Sequence, residues 1–547
     1  MTKIISIYPG HNATVALLEN NKITKVYNEE KFSNVKNHSG FPVQSINNVT
    51  GSDKNLKVVY SEESLFKDYL LIDNNLNSHK QSNENTKTSK KDIIYDRLRF
   101  NTINILSNLN LYSKVRDYGV DQNFKKNEKV LINSLKKLKL NFKKVNYVNH
   151  HISHAFSPIV FYGLLDYKKP ILVFTLDGTG DGISATVNIL KDGRFKTISK
   201  TDAKDSIGFI YSNVTKILGM TPLEHEYKVM GLAAYSQKKY YQKTYDSLFK
   251  DIIVLKKDLT FQNNLGYPTG FSYKHFEKKI VGERFDNVAG ALQYFTEKLV
   301  LDWIKLAIKK TGINNIAVSG GVFMNVKMNQ RILDLDEVQK AWFMPSCGDE
   351  SNVIGALGYY GYKNKLKIEA MKSTFQGLES TNEDVKDYIK KNNIEKNYKI
   401  TYCDDIEKKI AELMADFKIV ARFKGKGEWG ARSLCNRAIL GNASKLETFY
   451  EVNDLIKMRD FWMPFAPTIL DSWASKYIVN WKEIKIKAFD STKYMILTFD
   501  STKLAQEHLK AGMHQKDKTL RPQVVSKDEN PDLYKLLKYY ENLTGMG

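Results

Sequence analysis

The sequence predicts an α/β protein of two domains, and three observations carry that prediction. Short apolar runs with strand character, Lys3-Ile-Ile-Ser-Ile-Tyr8, Pro170-Ile-Leu-Val-Phe-Thr-Leu176 and Ile316-Ala-Val-Ser319, each end in a glycine-containing turn. The strand–turn–strand unit that opens the chain returns after residue 170, which points to one domain built from two related halves. A charged stretch from Lys363 to Asn397 then separates this domain from a second α/β series beginning near Ile400. The expected division is 1–365 for the first domain, 366–397 for a linker and 398–547 for the second domain, within the two to four domains that 547 residues allow.

In chain order, the first strand runs into Pro9-Gly-His-Asn-Ala-Thr14 and a second strand, Val15-Ala-Leu-Leu18. A tight turn of small residues exposes backbone N–H groups, and Asn12 and Thr14 add side-chain donors. The unit resembles the first phosphate-contacting hairpin of the actin-like ATPase fold. Tyr27 to Phe32 continues the sheet, and the polar stretch 73–92 reads as a loop insertion. Helical patterning returns over about 97–145 with a basic cluster, Lys125, Lys126, Lys129, Lys136, Lys137, Lys139, Lys143 and Lys144. Such a run is either a solvated helix face or a face that contacts a polyanion.

Tyr147-Val-Asn-His-His-Ile-Ser-His-Ala-Phe156 follows. His150 and His154 are four apart, which puts both imidazoles on one face of a helix. Two neutral imidazoles so placed are half of a divalent-metal site, although the same spacing is common in surface or core pairs. The best carboxylate to join them is Asp349, after a glycine in Pro345-Ser-Cys-Gly-Asp-Glu350. Two histidines and one aspartate admit iron, manganese or zinc.

Pro170 to Gly182 is a buried strand ending in Asp177-Gly178-Thr-Gly180-Asp181, a second phosphate-loop pattern with Asp177 near the metal or attacking group. Lys228 lies between apolar and aromatic residues before Met230-Gly231, read as a turn. It suits a phosphate or acceptor pocket, or a core lysine that snorkels. Ile316 to Asn325 is a strand followed by Gly320-Gly321 and a helix. The turn amides and Asn325 are candidates for a nucleotide phosphate or ribose. In Gly355-Ala-Leu-Gly358 small residues permit close helix packing.

The second domain is expected to open with a strand, Ile400-Thr-Tyr-Cys403, and a helix from Asp405 to Met414. Ile419 to Leu440 reads as a strand, a glycine turn and a helix bearing Arg432 and Arg437. With Lys424, Lys426, Lys457, Arg459 and Arg521 these form an expected pocket for phosphate-rich ligands, since guanidinium forks bind phosphate in a bidentate manner.

Composition narrows the function classes. Apolar residues at 42% are ample for cores, and no run approaches the ~18–20 apolar residues of a membrane helix. Met1 to Ile7 reads as a buried strand rather than a signal peptide. Cys347, Cys403 and Cys435 show no CxxC spacing, which excludes a cysteine zinc cluster and suggests the reducing cytoplasm. The formal net charge is +22 and the pI about 9.4, which favours polyanionic partners. An AT-biased genome would account for some of the lysine.

Together the motifs resemble the O-carbamoyltransferases that decorate antibiotics and nodulation factors. The resemblance spans nearly the whole chain. It rests on Gly10-His-Asn-Ala13, Glu29-Glu30, His150 to Ala155, Asp177 to Asp181, Tyr227 to Leu232, Ser319 to Asn325, Gly348-Asp349, Gly430 to Arg437, Lys457-Met-Arg459, Pro464-Phe-Ala-Pro467 and Arg521-Pro-Gln-Val524, in that order. It implies a first domain of actin-like ATPase fold (a duplicated ribonuclease-H-like unit) with a mononuclear metal. It also implies a second domain similar to threonylcarbamoyl-adenylate synthases. There, carbamoyl phosphate and ATP, accompanied by magnesium, become carbamoyl-adenylate and pyrophosphate; the first domain then passes the carbamoyl group to an acceptor hydroxyl. On this resemblance His150, His154 and Asp349 bind the metal, and His11 is the base or orienter near the hydroxyl.

Departures from the family pattern are Gly430-Ala-Arg-Ser-Leu-Cys435 for Gly-Pro-Arg-Ala-Leu-Gly, Met463 for an arginine, and Lys31 after Glu30. The family also continues beyond Thr544-Gly-Met-Gly547 into an Asn-Thr-Ser-Phe-Asn segment. The expectation is therefore a fragment, completion by another polypeptide, or an altered activation site. The positive charge points to a polyanionic acceptor, with 5-hydroxymethylcytosine in DNA as the expected one. Such an activity suits a virus-encoded protein acting in a bacterial host. A small hydroxylated metabolite or sugar is the alternative acceptor, and a non-catalytic ATP-binding protein the alternative class.

Overall fold

The computed structural model describes residues 3–51, 55–72, 99–107 and 111–547, so the polar stretch 73–92 lies outside the described residues. The chain divides into two units, Met1–Lys372 and Ser373–Gly547.

The first unit holds two five-stranded sheets of one topology. In the first, β1 (Ile4–Tyr8), β2 (Thr14–Glu19), β3 (Lys22–Asn28), β4 (Lys57–Tyr60) and β5 (Val145–Tyr147) lie in the order β3-β2-β1-β4-β5. β2 is antiparallel to β1 and β3, while β4 runs parallel to β1 and β5. The second contains β6 (Ile171–Gly180), β7 (Ile183–Lys191) and β8 (Arg194–Asp202). After a short hairpin of β9 (Ile253–Leu255) and β10 (Phe261–Asn263) it is completed by β11 (Asn315–Ser319) and β12 (Lys340–Phe343). Its order is β12-β11-β6-β7-β8, with the first three strands antiparallel in sequence and β11 and β12 parallel to β6. Counted within each half, both sheets read third-second-first-fourth-fifth. This is the duplicated ribonuclease-H-like arrangement of actin-like ATPases.

The central strands form where the sequence is continuously apolar. All five residues of β1 and of β11 are buried, as are the first seven of β6, as strands covered on both faces require. The helices that follow the last strand of each half, His150–Tyr162 and Asn352–Lys363, pack against each other. A Cβ at Gly355 would overlap the Ser153 carbonyl and one at Gly358 would overlap Val160, so the Gly355/Gly358 pair allows the close approach. Met230 and Gly231 are a correction: they lie inside the helix Glu226–Ala233 rather than in a turn.

The second unit pairs β13 (Val420–Phe423) antiparallel with β14 (Arg437–Leu440), and β15 (Thr468–Leu470) parallel with β16 (Gln523–Val525). Helices Ile406–Ala415 and Pro531–Thr544 pack over its core around Leu470, Tyr477 and Leu536. Two expectations fail here. Residues 400–403 form no strand. The helix expected after the glycine turn, bearing Arg432 and Arg437, is replaced by a loop leading into β14. Glu428 is the reason: its Oε1 accepts the backbone N–H groups of Leu434, Asn436 and Arg437 at 2.6, 3.1 and 3.2 Å, which a helix would have turned elsewhere. Gly430 and Cys435 take positive φ values of 91° and 73° that end any helical run.

Candidate active site

Four buried or nearly buried side chains converge in the first unit. Asn149 caps the histidine helix by accepting the N–H groups of His151 and Ile152. Asp181 secures the same end from the β6–β7 turn, accepting the N–H of His150 at 2.6 Å and of Ser64 at 2.6 Å. So fixed, the helix presents His150 and His154 with ring centroids 4.7 Å apart. The end of β6 brings Asp177, and the turn after β12 brings Asp349. One ligand-capable atom from each of the four lies within 4.8 Å of the others.

The separations fit a shared ion better than hydrogen bonds. His150 Nε2 is 3.5 Å from Asp177 Oδ2 and 3.5 Å from Asp349 Oδ1, and His154 Nε2 is 3.3 Å from Asp349 Oδ1. A tetrahedral cation with bonds of about 2.1 Å sets its ligand atoms about 3.4 Å apart. Two imidazoles and two carboxylates suit zinc, manganese or iron(II). The set is one ligand larger than the expected trio, because Asp177 joins it.

Neighbouring groups hold the carboxylates in place. Tyr8 donates its hydroxyl to Asp349 Oδ2 at 2.6 Å, and the Gly321 N–H donates to Asp177 Oδ1 at 3.0 Å. Gly320 takes φ 105°, and a Cβ there would overlap the Leu176 carbonyl. His151 faces away: Nδ1 meets the Thr175 hydroxyl at 2.7 Å and Nε2 the Ile183 carbonyl at 2.9 Å. Burial and the two neighbouring imidazoles lower it to about 3, so it is a neutral support. Tyr8, Glu62, Asp181 and Asn352 are site neighbours that sequence reasoning did not single out. Glu62 Oε1 lies 3.9 Å from His150 Nδ1, and burial raises Glu62 well above the usual carboxylate range. Its signal was available: it follows β4, and ligands gather beyond the carboxyl ends of parallel strands.

Burial alone would lower His150, but Asp349, Asp177 and Glu62 outweigh it and raise the imidazole well above its ordinary value. Against burial, His150 and His154 hold Asp349 well below the usual carboxylate range. Cluster stabilisation in the metal-free chain is thus lost as pH falls through the folded Asp349 value and as pH rises through the folded His150 value. A divalent ion must displace the His150 proton. Loading at neutral pH is expected to release about one proton per ion, with affinity weakening about tenfold per pH unit below the His150 value. Calorimetry in buffers of different ionisation enthalpy measures both.

Gly180 gives a second expectation. A Cβ there would overlap the His150 ring. Gly180→Ala is expected to cost about 1–3 kcal/mol of stability by overpacking and to weaken divalent-ion affinity, read by denaturant unfolding and by chelator competition.

The remaining candidates are placed as follows. His11 is half-buried in the β1–β2 turn, with Nε2 3.0 Å from the Leu223 carbonyl, and Asn12 beside it has φ 62°. Gly178 lies in β6 beside Asp177. Lys228 is half-buried in its helix. Asn325 uses its amide on Gln293 and on capping the helix Val326–Leu333. In the second unit Arg432, Arg459 and Arg521 are half-buried and Lys457 is exposed. Lys424 pairs with Glu407 and Asp532, each at 3.4 Å. Arg437 departs from the expected phosphate pocket. Its Nη1 and Nη2 groups donate to the carbonyls of Lys424, Asn436, Leu378 and Gly425 at 2.7–3.0 Å, so the guanidinium braces the glycine loop.

A duplicated ribonuclease-H-like unit with a buried two-histidine, two-aspartate cluster defines an actin-like ATPase-fold protein with a candidate metal centre. Family models described as carbamoyltransferase N-terminus and carbamoyltransferase C-terminus match residues 3–357 and 411–547. The chain belongs to the carbamoyltransferase family and is a transferase enzyme. It is 28% identical to an uncharacterized protein of Methanocaldococcus jannaschii over 99% of this chain and 91% of the relative. It is 24% identical to the nodulation protein NolNO of Sinorhizobium fredii, over 74% of this chain and 58% of that protein. Among solved structures, component A of (R)-2-hydroxyglutaryl-CoA dehydratase from Acidaminococcus fermentans aligns with TM-score 0.33 and 13% identity, over 66% of this chain and 99% of that one. HypF of T. kodakarensis aligns with TM-score 0.34 and 11% identity, over 66% and 48%. Among the described residues no helix is long and apolar enough to cross a membrane.

Proposed function

We propose that this carbamoyltransferase uses ATP and carbamoyl phosphate, passes through carbamoyl-adenylate, and carbamoylates the hydroxymethyl group of 5-hydroxymethylcytosine in DNA. The observation that carries the transfer step is the convergence of His150, His154, Asp177 and Asp349, with one ligand-capable atom of each within 4.8 Å of the others. In this reading the second unit activates the donor: water cleaves carbamoyl phosphate to carbamate and inorganic phosphate, and the carbamate oxygen then attacks the α-phosphate of ATP and expels pyrophosphate, with Lys424, Lys457, Arg432, Arg459 and Arg521 near the phosphates. The acceptor oxygen then attacks the carbamoyl carbon, the bond to the adenylate oxygen breaks and AMP leaves. His11 takes the hydroxyl proton. His150, His154, Asp177 and Asp349 would hold a divalent cation, which supplies electrophilic stabilisation of developing negative charge. Tyr8 and the Gly321 amide keep the two carboxylates aimed inward. The amides of Gly178 and Gly180, with Asn12 and Lys228, would line the approach for phosphate groups, whereas the Gly320 N–H is used on the Cys347 carbonyl at 3.0 Å and that of Gly321 on Asp177. Magnesium would accompany ATP.

The polyanionic acceptor is supported by the net charge of +22 and by the eight lysines of the basic cluster, all exposed. A virus-encoded enzyme working in host cytoplasm fits this acceptor. The burial of both ligand histidines favours a second reading, a small hydroxylated metabolite or sugar, because a duplex base must be flipped out to reach them. The test is incubation with ATP, carbamoyl phosphate, a divalent metal and DNA containing hydroxymethylcytosine, followed by nucleoside mass analysis. A gain of one carbamoyl group on the modified nucleoside supports the first reading. Pyrophosphate release without that gain supports the second.

A further inference from the structure

The helix Tyr112–Lys137 carries a charge pattern that the transfer chemistry does not use. Its inner face is set by buried Leu131, Leu135, Asn127 and Ser134. On the other side Lys114, Tyr118, Lys125, Lys129 and Lys136 follow one another at spacings of four, seven, four and seven residues. At about 100° per residue these five fall within an arc of about 60°, and at about 1.5 Å per residue they span about 33 Å. All four lysines are exposed, and Tyr118 is 66% exposed. Among the described residues, none of the four lysines has a carboxylate within ion-pair distance.

Opposite charges four apart support a helix and like charges so placed weaken it. Here Lys125 and Lys129 are a like-charged pair four apart. Two of the helix's three acids are engaged elsewhere: Asp117 with Arg116, and Glu128 with the Tyr147 hydroxyl at 3.1 Å. Asp121 alone borders the stripe. The helix is also fastened beside the candidate active site. Arg116 grips Asp202 with two bonds, at 2.9 and 3.2 Å, and lies against Gly182 in the turn that carries Asp181.

Building on the DNA-acceptor reading, we propose that this stripe is the surface that holds the DNA. The four lysines meet phosphates along the DNA backbone, and Tyr118 offers a ring face to an unpaired base. The test compares the full chain with a Lys125→Gln/Lys129→Gln/Lys136→Gln variant, whose exposed positions leave folding intact by circular dichroism. Each phosphate contact contributes about 0.9 to the slope of log affinity against log salt. The variant is therefore expected to lower that slope by about 2–3 on a hydroxymethylcytosine duplex. It should also raise KM for that DNA at least tenfold, with kcat on the free hydroxymethylated nucleoside unchanged. An unchanged slope, or a wild-type chain that duplex DNA does not retain at low salt, overturns the inference. A lowered slope with no carbamoyl group found on DNA treated with the wild-type chain overturns the acceptor reading and leaves the stripe as a DNA surface.

Discussion

Asp349→Asn is expected to leave a folded protein that no longer retains a divalent ion and transfers carbamoyl groups at least ~10³-fold more slowly, about 4 kcal/mol of transition-state stabilisation. The reasons are geometric and electrostatic. Asp349 Oδ1 is the carboxylate oxygen that approaches both ligand imidazoles, at 3.5 Å from His150 and 3.3 Å from His154. Asparagine keeps the shape and still accepts the Tyr8 hydroxyl, so packing is preserved while a negative charge leaves the cluster. That charge is the largest influence opposing burial at His150, so the His150 imidazole should titrate lower in the variant. Metal content by plasma mass spectrometry and single-turnover transfer from preformed carbamoyl-adenylate are the measurements. Full metal retention with lost transfer would remove Asp349 from the ligand set and leave it an orienting role.

The parts of this site that were legible in the sequence are those set by local chain geometry. The four-residue spacing of His150 and His154 needs only a helix to align them, and Asp349 and Asp177 each stand at the end of an apolar strand run. The duplicated sheet was legible for the same reason, since strand, glycine turn and strand recur with their spacing. Contacts between distant segments were not. Tyr8 reaches Asp349 across 341 residues, and no local pattern announces that bond. Glu29, part of a motif that carried the family resemblance, proves to cap a helix, accepting the N–H groups of Gln44 and Ser45 at 2.9 and 2.7 Å. The second unit misled for a physical reason as well. Its arginines sit among good helix formers, but the Glu428 carboxylate gathers the backbone amides of three of those residues into a loop, and tertiary bonding overrides propensity. The lysine stripe was visible as composition, yet its register on one face required the helix boundaries.

His11→Asn is expected to separate the two halves of the reaction. His11 stands in the β1–β2 turn, outside the cluster of four, with its Nε2 3.0 Å from the Leu223 carbonyl. Asparagine stops short of that carbonyl, but the Thr14 hydroxyl still donates to the Asn12 carbonyl at 2.6 Å and the Ala13 N–H to the His38 carbonyl at 2.9 Å, so the turn should hold. What it cannot do is take the proton of the acceptor hydroxyl. A positioned general base is worth about 10²–10⁴-fold, and the transfer rate should fall by that amount. Metal content and pyrophosphate release from ATP and carbamoyl phosphate should stay at wild-type levels, because none of the residues proposed for those steps is altered. Chemical rescue is the sharper readout. If His11 removes the hydroxyl proton, added imidazole should restore part of the variant's transfer rate while KM for the acceptor stays unchanged. If His11 only orients the acceptor, imidazole restores nothing and KM for the acceptor rises instead. A variant that also stops releasing pyrophosphate would show that the turn serves donor activation as well, and the division of labour between the two units would have to be redrawn.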